Sequence, residues 1–96
     1  MRFEWDPAKD KANRAKHGLS FEEAATLFEI GIDYLEIYDE EHSGDRFIAI
    51  GAIRRGVIIV AYTEREEDAL RILSARLATR AERQRFSRFA RERNEK

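Results

Sequence analysis

The side chains able to move protons or hold phosphate in this chain are arginine, lysine, histidine and the carboxylates, because it contains no cysteine. A chain without cysteine has no thiolate nucleophile, no thiolate metal site and no disulfide scaffold. Its two histidines, His17 and His42, lie 25 residues apart with no HxH or HExxH pattern. Zinc usually needs three or four closely spaced ligands, so no metal or other cofactor is expected. The five glycines are scattered rather than gathered into a phosphate loop, and no serine-centred nucleophile motif is present. What remains is an arginine set: Arg65 in Thr63-Glu64-Arg65, and Arg71 and Arg76 bracketing Ile72-Leu73-Ser74-Ala75.

Such a set suits metal-free cleavage of RNA. That reaction needs a base for the 2′-hydroxyl proton, cations for the charge growing on phosphorus, and an acid for the departing 5′-oxygen. Arg65, Arg71 and Arg76 meet the second need. Glu64 or His17 could serve as base, and His17, His42 or Lys16 as acid. Geometry limits this reading. Arg71 and Arg76 are five apart and face opposite sides of a regular strand, unless Arg76 lies past its end or a bulge intervenes. Glu64 and Arg65 conflict in the same way, and a salt bridge between neighbours is the plainer role for each. His17, just before Gly18, equally suits a helix C-terminus. His42 lies in a polar loop, and Trp5 is expected to anchor the core rather than stack a base.

Three helix starts position these residues. Asp6-Pro7 sets an N-cap before a first-turn proline, predicting a helix from Pro7 to His17 that ends at Gly18. Ser20-Phe21-Glu22-Glu23 and Thr79-Arg80-Ala81-Glu82 are capping boxes. The first opens a helix with Phe21, Ala24, Ala25 and Phe28 on one face, and the second a helix with the stripe Phe86, Phe89 and Ala90. Between them the period becomes that of strands at 34–38, 46–54, 57–63 and 69–76. Arg54-Arg55-Gly56 reads as a hairpin turn, Arg65 to Asp68 as another, and Asp39 to Asp45 as a polar connection. Val57 to Ala61 is continuously apolar and therefore central. Phe3-Glu4-Trp5 adds a short edge strand. The expected fold is one α+β domain: two helices, a four-stranded antiparallel meander and a C-terminal helix.

The chain has 96 residues, 18 Lys+Arg and 19 Asp+Glu, for a net charge of −1. Near-neutrality conceals segregation. Residues 1–20 hold five bases and three acids, 21–45 nine acids and no base, and 46–96 thirteen bases and seven acids. A block this one-sided suggests one surface for an anion and another for a cationic partner. Arg80, Arg83, Arg85, Arg88 and Arg91 read as a basic helix face suited to a phosphate backbone or a protein partner rather than as catalytic groups. Charged residues interrupt the amino terminus, and the longest apolar run, Val57 to Tyr62, is far too short to cross a bilayer. A reducing cytoplasm is expected.

Specificity comes from a longer pattern. Phe3-Glu4-Trp5-Asp6-Pro7-Ala8-Lys9, Asn13, Lys16-His17-Gly18, Ser20-Phe21-Glu22-Glu23-Ala24 and Phe28 resemble the opening of the BrnT family of ribonuclease toxins. The likeness continues through Asp39, His42, Arg46, Ile50-Gly51, Tyr62-Thr63-Glu64-Arg65, Arg71-Ile72 and Ser74-Ala75-Arg76. It closes with Ala78-Thr79-Arg80 and Glu82-Arg83. The resemblance implies a RelE-like fold, metal-independent endoribonuclease activity and neutralisation by a BrnA-type antitoxin. It also implies a heterotetramer of two toxins and two antitoxins that meets operator DNA only through the antitoxin. By the same analogy Arg65, Arg71 and Arg76 handle phosphate, with Glu64, His17 and Lys16 beside them. Arg46, Arg80 and Arg83 are then expected to contact RNA. Phe86 stands where the family often has tyrosine, and the alternative is a weak or non-catalytic module that binds antitoxin or nucleic acid.

Overall fold

The computed structural model describes residues 1–29, 33–40, 45–66 and 68–94. Among these the chain order is β1 (Arg2–Glu4), α1 (Pro7–His17), α2 (Phe21–Glu29), β2 (Leu35–Tyr38), β3 (Arg46–Ile53), β4 (Gly56–Glu64), β5 (Ala69–Leu77) and α3 (Arg80–Asn94). Local chemistry sets the helix ends. The Asp6 carboxylate accepts the Ala8 N–H at 2.8 Å ahead of Pro7. Gly18, at φ 69°, closes α1 in the left-handed conformation that glycine adopts without steric cost. Ser20 Oγ accepts the Glu23 N–H, but the Glu23 carboxylate turns to Arg55 at 3.0 Å, leaving that capping box half formed. At α3 the box is complete: Thr79 Oγ1 accepts from the Glu82 N–H, and Glu82 Oε1 accepts from the Thr79 N–H.

The strands form one sheet in the order β1-β5-β4-β3-β2. β2 to β5 are the expected antiparallel meander, with apolar β4 at its centre. The opening strand is present but pairs parallel to β5, making the sheet mixed rather than purely antiparallel. One residue sets the geometry of the whole face. Ala61 pairs with Ser74 while Tyr62 pairs with Ile72, so Leu73 is an extra residue in β5, a bulge.

Each face of the sheet carries its own apolar layer. α1 and α2 cover one, burying Leu19, Phe21, Ala24 and Leu27 against Ala49, Ile58, Val60, Tyr62, Ile72 and Ala75. α3 covers part of the other, with Phe86 packed against a cluster that includes Ile50, Ile59, Leu35 and Val57. Asn13 fastens α1 to the sheet. Its side-chain amide donates to the Ala75 and Leu19 carbonyls, both at 2.8 Å, and its carbonyl accepts the Ala75 N–H at 3.1 Å. Past Arg71 no strand among the described residues lies on the outer side of β5, and this side chain serves Ala75 as a strand would. No helix among the described residues is long and apolar enough to cross a membrane.

Candidate active site

Strand pairing places the arginines. Arg46 lies opposite Thr63, Thr63 opposite Arg71, and Arg71 opposite Glu4 on β1. Paired residues project to the same side of a sheet, so these four form a row. Arg76 lies opposite Ile59, four residues before Thr63 along β4, and therefore projects to the same side. The bulge at Leu73 does this. Without the extra residue, a spacing of five would send one of the two arginines into the core beneath α2. Arg71 and Arg76 thus share the α3 face, about 13 Å apart at about 3.3 Å per strand residue.

Two groups of charge result. At one end of the face Glu4 lies between Arg71, at 3.7 Å, and Arg65, at 4.0 Å. Glu4, Glu64, Arg65 and Glu66 line a hollow of about 310 Å³ there. Across the row Arg46 pairs with Asp39 at 3.5 Å, and its Nε is sealed from solvent with no hydrogen-bond acceptor among the described residues. At the other end Arg76 donates two parallel bonds to Glu82, at 2.7 and 2.8 Å. That fork holds the Arg76 guanidinium above its ordinary pKa. It brings the Glu82 carboxyl down to about 2, helped by the Thr79 N–H and opposed by partial burial. Arg76, Glu82 and Arg85 stand with Tyr38, Asp39 and Glu40 around a groove of about 480 Å³ whose floor is Ile37, Ile48, Ile50 and Ile59.

A third group lies on the α2 face. The buried Tyr62 hydroxyl donates to Glu36, while its ring packs edge-on against Phe28 and stacks on Phe47. Burial first, then the Glu36 bond and charge, raise the Tyr62 pKa. Tyr34 is raised by burial and by Glu36, with a hydrogen bond to Tyr62 opposing. The charge of Glu64 reaches both phenols. This is the alternation anticipated at the end of β4. Glu64 pairs with Leu70, which packs in the core beneath α2, whereas Arg65, just past the strand, meets Glu4 on the α3 side.

Of the residues expected at a site, Arg46, Arg65, Arg71 and Arg76 come onto one face, while Glu64, whose strand position faces α2, joins Arg65 only in lining the hollow at the rim. Lys16 and His17 end α1, which packs along β5. Among the described residues neither shares a hydrogen bond or ion pair with those arginines. Arg80 and Arg83 begin α3 on its solvent side. His42 lies outside the described residues. The arginines' partners Glu4, Asp39 and Glu82 carried no site signal in sequence. Glu82 read as a helix cap, and only the tertiary approach of β5 to α3 gives it Arg76.

Residues 5–82 match the family model described as the ribonuclease toxin, BrnT, of type II toxin–antitoxin systems. A crystal structure of the Brucella abortus ribonuclease toxin BrnT is similar. It is 32% identical, its alignment covers 83% of this chain and 99% of that one, and the TM-score is 0.69. No curated protein matches the chain.

Proposed function

Since the chain belongs to the BrnT family of ribonuclease toxins of type II toxin–antitoxin systems, we propose that it cleaves RNA on the α3 face of its sheet, without a metal, and arrests growth unless an antitoxin covers it. The observation that carries this reading is the bulge at Leu73, which puts Arg76 on the face that already holds Arg46, Arg71 and Arg65.

The chemistry follows from the residues. A base takes the 2′-hydroxyl proton: Glu64 lines the hollow beside Arg65 although its strand position faces α2, and His17, the other candidate, ends α1 on that same far side. The 2′-oxygen attacks phosphorus, and the P–O5′ bond breaks to leave a 2′,3′-cyclic phosphate. A proton returns to the 5′-oxygen from His42, or from Lys16 or His17 with the RNA passing round the β5 edge, because α1 lies against the face opposite α3. Arg65, Arg71 and Arg76 stabilise the dianionic phosphorane. Glu4 holds Arg65 and Arg71 together at one end of the face, and Glu82 holds Arg76 at the other. Arg46, Arg80 and Arg83 hold flanking phosphates. The three helices on a five-stranded sheet support a RelE-like reading of the fold. The expected partner is a BrnA-type antitoxin in a two-to-two assembly in the cytoplasm, with operator DNA bound only by the antitoxin.

Expression without an antitoxin tests the proposal. Growth arrest and RNA fragmentation, both relieved by Arg65→Ala or Arg76→Ala and persisting in vitro under a chelator, are the expected result. Unaffected growth with intact RNA would sink it. One observation favours a second reading, a module that binds RNA or antitoxin without turnover. Arg46, Arg65, Arg71 and Arg76 are each already matched to a carboxylate, and Phe86 supplies no hydroxyl. RNA binding without cleavage, weakening steeply with salt, would favour that reading.

A further inference from the structure

The cations of the sheet face are paired, but those on the outer side of α3 are not. Glu4 serves Arg65 and Arg71, Asp39 serves Arg46, and Glu82 serves Arg76. Arg80, Arg83, Arg88 and Arg91 have no acidic partner among the described residues. Arg83 donates to the Ala78 carbonyl at 3.1 Å and remains exposed. With Gln84 and Ser87 these four line a shallow concavity of about 530 Å³. At about 100° per residue the six positions fall within an arc of about 140°, and Arg80 to Arg91 spans about 16 Å of helix axis. The two described acids of α3 lie elsewhere: Glu82 turns to Arg76, and Glu92 lines a hollow with Leu35, Arg85 and Phe89. One side of the helix is therefore purely cationic and hydrogen-bonding, while the other carries Phe86 and Phe89.

We infer that the outer side of α3 is a docking track for the phosphate backbone of single-stranded RNA, separate from the reaction face and indifferent to base sequence. The inference rests on the ribonuclease reading for the nature of its ligand. Arginine forks suit phosphate oxygens, and Gln84 and Ser87 add neutral donors between them. No large aromatic ring lies among the six residues, so bases have nothing to stack on and recognition stays with the backbone. At about 3.4 Å per nucleotide of a stacked strand, the track covers about five nucleotides. It begins at Arg80, four residues after Arg76, so a strand held there leads toward the reaction face.

The test uses the full chain and a 2′-O-methyl RNA of mixed sequence, which has no free 2′-hydroxyl to attack. Affinity is measured across a potassium chloride series for the unaltered chain, for Arg88→Gln/Arg91→Gln, and for Lys9→Gln/Lys11→Gln, which removes equal charge from the exposed side of α1. The α3 pair should flatten the slope of log affinity against log salt by about 1.4, at about 0.7 per phosphate contact, while the α1 pair leaves it unchanged. Binding of unrelated sequences should fall by the same factor, on the order of tenfold. In cleavage assays KM for long RNA should rise with kcat on a dinucleotide unaltered. Cleavage by the unaltered chain with no change in slope on removing Arg88 and Arg91 would overturn the track and leave the ribonuclease reading standing. Binding that loses slope as expected, with no cleavage of any RNA, would keep the track and remove the ribonuclease reading. An α3 pair that loses affinity for the antitoxin but not for RNA would assign the surface to the antitoxin and overturn the inference.

Discussion

Arg76 and Glu82 make one interaction with two consequences, since the carboxylate that neutralises the arginine also closes the capping box of α3. Substituting Glu82→Gln keeps the shape, removes the charge and weakens both. A loss of about 1–2 kcal/mol in a urea titration at pH 7 is expected from a cap and a charge-assisted fork together. The pH dependence has a definite sign. The folded carboxyl is lowered to about 2 from an ordinary 4.5, so its contribution is complete above pH 4.5. That contribution disappears as pH falls from about 4.5 toward about 2. Glu82→Gln should therefore narrow its deficit against the unaltered chain across that window. A deficit constant from pH 6 to pH 2 would show that Glu82 stabilises the fold by some means other than its charge. If Arg76 takes part in cleavage, the same variant should lower kcat more than it raises KM, because a guanidinium freed from its fork must be reoriented in each turnover.

Among the elements, β5 organises the most, through one inserted residue and one side chain from α1. Asn13 satisfies three backbone groups in a buried position. Asn13→Leu would leave them without partners, and a destabilisation of about 3 kcal/mol is expected in denaturant unfolding. A loss below about 1 kcal/mol would mean that water replaces the amide at that edge. The contact of α2 with β3 is equally tight. A methyl group at Gly51 would stand 2.3 Å from Leu27 Cδ1 and 2.9 Å from Tyr34 Cβ. Leu27 can turn aside, but the Tyr34 Cβ is tied to its backbone, so Gly51→Ala should cost about 1–3 kcal/mol by overpacking. The ease of reading these elements in the sequence differs for a physical reason. Helix starts depend on residues within one turn, so Asp6-Pro7, Ser20 and Thr79 announced theirs. The central strand announced itself by an unbroken apolar run. The bulge at Leu73 left only an indirect mark: the adjacent apolar pair Ile72-Leu73 breaks the alternation between Arg71 and Arg76, and five residues separate the two arginines, which a strand end would explain equally well. It exists because Arg71 and Arg76 both avoid the core beneath α2, which only the assembled sheet imposes. The parallel pairing of β1, and with it the Glu4 bridge to Arg71, depends likewise on register between residues 67 apart in the chain.

At the scale of the molecule, the charge blocks of the sequence interlock in space. Acids from the middle segment take arginines from beyond it: Glu23 with Arg55, Asp39 with Arg46 and Asp33 with Arg93. Part of the negative block is thus used internally, which narrows the acidic surface left for a basic partner and leaves α3 with four arginines that no described acid compensates. That helix carries six arginines and two acids between Arg80 and Asn94. Four of the arginines repel one another along one side, while Phe86, the Arg76 fork and the Asp33–Arg93 pair hold the other side down. Exposed pairs contribute little each, so α3 should be the least stable element and the sheet around β4 the most stable. Native-state hydrogen exchange can resolve this. Amides of α3 should exchange through an opening that leaves β4 and β5 protected. An uncleavable RNA should then slow α3 selectively by relieving the repulsion among Arg80, Arg83, Arg88 and Arg91. Exchange of α3 only together with the sheet, unmoved by RNA, would mean that the helix is part of the global core and its cationic side is only a solvated surface. The predicted order of opening instead makes α3 a substrate-responsive element, ordered most firmly when the polyanion it suits is bound.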